Sequence, residues 1–100
     1  MRLSEFQIAT INNLAKKYFG QDTTVFLFGS RTDDSRKGGD IDLFIRNKKE
    51  TDLTVEAKIH FLAELKRHIG EQKIDVVFDN FLTRQKKNFY HSVIRHKIEL

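Results

Sequence analysis

Three short runs of β-branched and aromatic residues constrain what this chain can become. They are 23–28 (TTVFLF), 40–46 (DIDLFIR) and 73–78 (KIDVVF). Each is too short for a globular helix and long enough for a strand. Around them lie three longer segments whose apolar residues recur at helical spacing. The first has Ser4 and Gln7 in capping-box positions, an apolar set of Ile11, Leu14, Ala15, Tyr18 and Phe19, and Gly20 as its stop. The second opens at Thr51 or Asp52 and closes at Gly70, with Leu53, Ala57, Phe61 and Leu65 in one stripe. The third, 81–98, sets Leu82, Phe89 and Val93 on one side, with Tyr90, Ile94 and Ile98 beside them. The order α-β-β-α-β-α predicts a small α/β (α+β) sandwich, a short mixed sheet with helices packed on one face.

Composition narrows the classes further. A length of 100 residues suits one domain covering 1–100, and 39% hydrophobic residues can supply its core. The chain has no cysteine, which excludes a disulfide scaffold, a thiol nucleophile and a thiolate zinc site. It has no proline, so nothing marks a rigid linker. No apolar run approaches the ~20 residues that span a bilayer, and the N-terminus lacks the apolar stretch of a secretory signal. A soluble, cytoplasmic protein is the expectation. The net charge of +4 falls wholly in 81–100, where Arg84, Lys86, Lys87, Arg95 and Lys97 face Glu99 alone. Such a tail suits a nucleic acid or an acidic partner, or is simply a solvated helix face.

Three features sit at the ends of the predicted strands. Phe28-Gly29-Ser30-Arg31 follows the first. There a glycine permits close backbone approach, and the next N–H groups and the serine hydroxyl can donate to phosphate oxygens. Alone, Gly-Ser is also an ordinary turn. Asp40-Ile41-Asp42 opens the second strand, with two carboxylates on one face about 6.5–7 Å apart at Cα. Mg²⁺ takes oxygen ligands of this kind together with substrate phosphates, whereas a plain wet strand is the competing explanation. Asp75 lies among apolar residues of the third strand, expected to be interior, where a lone carboxylate needs a partner. A metal shared with Asp40 and Asp42 would supply it; on an edge strand, a lysine would. Asp79 reads as a turn residue, and the four histidines as surface or helix-end residues.

Taken together, Phe28-Gly29-Ser30-Arg31, Asp40-Ile41-Asp42-Leu43 and Ile74-Asp75-Val76 resemble the nucleotidyltransferase superfamily. The size of the chain is similar to the minimal nucleotidyltransferases (MNT), antitoxin partners in HEPN–MNT toxin–antitoxin pairs. The resemblance implies that Gly29 and Ser30 hold the β- and γ-phosphates of a nucleoside triphosphate, with Arg31 beside them. It implies that Asp40 and Asp42 bind two Mg²⁺ ions and that Asp75 completes the metal site and helps deprotonate the acceptor. The implied reaction moves AMP from ATP to a hydroxyl of a HEPN partner, such as a tyrosine. The chain departs from many relatives in having Gly39 ahead of the first aspartate and Thr32-Asp33-Asp34 early in the loop. Two rivals stand beside this: an inactive antitoxin acting by occlusion, and a nucleic-acid-binding domain built on 81–100. The mixing of Phe89, Tyr90, Val93 and Ile94 into the basic tail disfavours the second, because it is a packing pattern. The apolar surface of 81–98, joined to the whole net positive charge, leaves Tyr90 or Phe89 for a partner, with Arg84, Lys86 and Lys87 at the rim, unless these aromatics all belong to the domain's own core.

Overall fold

The computed structural model describes residues 3–29 and 40–100. In chain order the elements are α1 (Glu5–Phe19), β1 (Thr24–Phe28), β2 (Ile41–Arg46), a 3-10 turn (Glu50–Asp52), α2 (Val55–Ile69), β3 (Ile74–Phe78), α3 (Phe81–Gln85), α4 (Lys87–His96) and β4 (Ile98–Glu99). The first helix starts as its sequence dictates. Ser4 Oγ accepts from the Gln7 N–H at 3.1 Å, and Gln7 Oε1 accepts from the Ser4 N–H at 2.9 Å. That box satisfies two backbone donors that the first turn would otherwise leave open. α2 begins after the 3-10 turn, capped by Thr54 and not by Thr51 or Asp52.

The sheet runs β3-β2-β1-β4, with β1 antiparallel to both neighbours and β2 parallel to β3. α2 makes the crossover that a parallel pair requires. Val25 and Leu27, Ile41, Leu43 and Ile45, and Ile74 and Val76 alternate onto one face. There they meet Ile11, Leu14 and Phe19 of α1 and Phe61 and Leu65 of α2 in the main core. The mixed α/β sandwich is therefore as expected.

The arrangement of helices on one face is corrected. Phe26 and Phe44 point to the opposite face and pack with Val93 of α4, joined by Phe28, Val77, Tyr90 and Ile94. Phe26 and Phe28 of β1 and Phe44 of β2 fall on the second face, so leaving it bare would put phenyl rings in water. The expected continuous helix over 81–98 is also corrected. It breaks at Lys86 (φ −85°, ψ 73°), and Ile98 leaves the helix to pair as β4 with Leu27. The break lets α4 swing onto the second face, while Leu82 on α3 stays 72% exposed. Among the described residues no helix is long and apolar enough to cross a membrane.

Candidate active site

Asp42 and Asp75 are the second residues of β2 and β3, and the parallel register sets them side by side. Equal register puts both side chains on the second face, at the edge of the aromatic cluster. Asp42 is half-buried and Asp75 exposed. Their carboxylates lie within hydrogen-bonding reach of each other. Burial, then the charges of Asp75 and Asp40, push the Asp42 carboxyl up to about 6. Two adjacent carboxylates cannot both ionise cheaply, so without a cation Asp42 keeps its proton up to about pH 6.

Asp75 was expected on an interior strand. In the described sheet β3 is an outer strand, so Asp75 keeps access to water and needs no buried partner. Asp40 lies just ahead of β2, and its Oδ2 is 3.4 Å from Lys73 Nζ. That ion pair, with the acids around it, holds the Lys73 ammonium above its ordinary range. Among the described residues no three His, Asp or Glu side chains are drawn close enough together to hold a metal ion. The fold thus brings Asp42 and Asp75 together and leaves Asp40 with Lys73.

Gly29 follows β1 directly, where Phe28 is level with Asp42 across the antiparallel ladder. Its φ is 79°, a left-handed conformation that glycine adopts without strain. A Cβ added there would overlap Asp42 Oδ2. The turn therefore requires glycine twice, once for its backbone and once for the carboxylate against it. Ser30 and Arg31 lie outside the described residues. An open cleft of about 470 Å³ adjoins the acids, lined by Phe28, Lys58, Leu62, Ile74, Val76 and Phe89 among others.

One polar centre was missed in the sequence. Asp79, read there as a turn residue, is buried; it accepts from Arg46 Nε at 2.8 Å and Arg84 Nη1 at 2.9 Å. Arg84 also forks onto Glu50 at 2.9 and 3.0 Å, and burial, then the charge of Asp79, holds the Tyr90 hydroxyl above its ordinary value. A signal existed: Arg46 and Asp79 each lie four residues beyond Asp42 and Asp75, so strands that align the acids align these too. Tyr90 and Arg84 thus make contacts within this domain while both stay partly exposed. Tyr90 packs edge-on against Phe44, ring centres 6.1 Å apart. Phe89 rests on Phe28 and stays 40% exposed.

A family model described as polymerase beta, nucleotidyltransferase matches residues 9–100. The chain belongs to this nucleotidyltransferase family. Among curated proteins, none matches it. For a nucleotidyltransferase the clustering is coherent: a glycine turn, a half-buried acid and an exposed acid lie in a row across β1, β2 and β3. Nucleotidyl transfer is the family's chemistry, and a nucleotide its substrate.

Proposed function

We propose that this nucleotidyltransferase moves AMP from ATP, with Mg²⁺, to a hydroxyl of a partner protein, a HEPN toxin it silences. The observation that supports transfer is the level pair Asp42–Asp75 beside Gly29. The resemblance of the motifs supports the finer terms, ATP and the HEPN partner. The donor set suits Mg²⁺: two hard oxygen ligands lie side by side, and a divalent cation held between them would relieve the repulsion that raises Asp42. Asp42 and Asp75 would hold it, with Asp40 joining as it leaves Lys73. Bound there, Mg²⁺ neutralises triphosphate charge and makes the acceptor hydroxyl more acidic.

The chain's own residues then have distinct tasks. Gly29 keeps side-chain bulk away from the phosphates, which Gly29, Ser30 and Arg31 would receive. Asp42 fixes the centre of the site from its half-buried position. Asp75 accepts the proton of the acceptor hydroxyl as its oxygen bonds to the α-phosphorus and the bond to pyrophosphate breaks. The covalent work is small, and positioning and electrostatics carry the catalysis. The whole unit acts as a single minimal domain over residues 1–100.

The test is an intact-mass measurement on the HEPN partner that co-purifies with the chain, with and without Mg-ATP. A gain equal to one adenylyl group, absent with Asp75→Asn, is expected. No gain at all leaves the occlusion function in its place.

A further inference from the structure

Among the described residues β3 has one side of its backbone paired and the other open. Among the described residues no strand lies beyond it. The Ile41 N–H donates to Lys73 O at 3.0 Å, and the Asp79 N–H donates to Ile45 O at 2.8 Å. In a parallel pair alternate residues turn both backbone groups to the neighbour, so residues 73, 75, 77 and 79 face β2. Ile74, Val76 and Phe78 therefore aim their N–H and C=O groups outward, while their side chains enter the main core.

The two outer strands differ in how far they can pair. β4 has only two residues, and short edges are one way proteins blunt an edge. β3 has five residues, IDVVF, with no proline and one charge. The cleft of about 470 Å³ follows this edge, with Lys58 and Leu62 of α2 on one side and Phe28 and Phe89 on the other. Asp42 and Asp75 also line it.

We infer that the acceptor protein docks as an extended segment added to the open edge of β3, with a hydroxyl-bearing residue level with Asp75. The inference rests on the transfer reaction proposed above and specifies how its acceptor is held. Two relationships carry it. Outward backbone groups on an edge strand are complemented by another extended backbone. Moreover, displacement at phosphorus is in line, so the acceptor must approach from the side opposite the leaving pyrophosphate. The phosphate turn at Gly29 is on β1, so the opposite side is β3. A segment added there lies about 4.8 Å from β3, and its residue level with Asp75 points to the same face as the acids. The order across the sheet becomes phosphate turn, Asp42, Asp75, acceptor.

The probe is the peptide Glu-Val-Thr-Val-Tyr-Val-Glu, whose valines face Leu62 when its hydroxyls face Asp75. Amide hydrogen exchange is followed in the intact chain with Mg-ATP, and the peptide's mass is read in parallel. The amides of Ile74, Val76 and Phe78 should slow by about tenfold or more with the peptide. The same peptide methylated at alternate backbone nitrogens should give no slowing. Slowing without adenylyl gain keeps the docking edge and refutes the transfer reaction for this hydroxyl. Adenylyl gain without slowing at these three amides overturns the docking edge and leaves transfer standing. Neither slowing nor gain, or equal slowing by the methylated peptide, also overturns it.

Discussion

Gly29 lies directly against the carboxylate of Asp42, with no room for a Cβ between them. The glycine turn and the half-buried acid are thereby one unit.

Gly29→Ala should show that coupling. The left-handed φ of 79° costs about 1–2 kcal/mol for a residue with a Cβ, and the overlap with Asp42 adds to it. The nearest atoms to that Cβ all belong to the Asp42 side chain. Asp42→Ala in the same chain should therefore restore part of the loss, with a coupling on the order of 1 kcal/mol. Denaturant unfolding of the two single variants and the double variant measures it. Strict additivity would mean that the two residues do not touch.

Asp42 should also set a pH dependence in the metal-free protein. Its carboxyl titrates at about 6 when folded and at an ordinary 3.8 when unfolded. Between those values the folded chain holds a proton the unfolded chain has released, so stability falls as pH rises through the window. Asp42→Asn should remove that slope, raise metal-free stability at pH 7 and abolish transfer. Thermal melts from pH 4 to 7, with and without Mg²⁺, read the first two effects.

At lower pH the opposite dependence comes from Glu64, far along α2. Lys17 Nζ at 2.8 Å and the Tyr18 hydroxyl hold its carboxyl at about 2, against an ordinary 4.5. Its contribution is present above pH 4.5 and fades as pH falls toward 2. Glu64→Gln should lower stability at neutral pH and flatten the acid limb of the melting profile. An unchanged acid limb would show that this cluster does not hold α1 to α2.

Asp79→Ala tests the missed polar centre. Removing it leaves Arg46 and Arg84 without their shared buried acceptor. The cost should be about 2–3 kcal/mol, below that of a fully buried pair, because both guanidiniums reach solvent. Urea unfolding checks the figure, and a loss under 0.5 kcal/mol would be within the range of an ordinary surface site.

How legible each part was depends on how local its causes are. The capping box at Ser4 and Gln7 and the stops at Gly20 and Gly70 need only neighbouring residues, and all of them appear in the structure. The three strands were legible because apolar runs that short cannot be helices of this size. What the linear pattern concealed was depth. Asp75 was expected inside the sheet, but strand order depends on which loops cross over, and no window of residues records that. The break at Lys86 was hidden because Leu82 and Phe89 fit one helical stripe although they belong to two helices. Asp79 was missed because its partners lie 33 residues back and five ahead. Of the site, Gly29, Asp42 and Asp75 come together, Asp40 turns to Lys73, and Ser30 and Arg31 lie outside the described residues.

The central claim is that the α-phosphoryl group of a nucleotide leaves this site attached to another chain. Incubating the purified protein and its co-purifying partner with ATP labelled at the α-phosphate, or in parallel at the γ-phosphate, tests it directly. Label from the α position should appear on the partner with Mg²⁺, label from the γ position should not, and Asp42→Asn should abolish the signal. Label transferred from the γ position, α label that survives Asp42→Asn, or no α label on any chain would contradict the account.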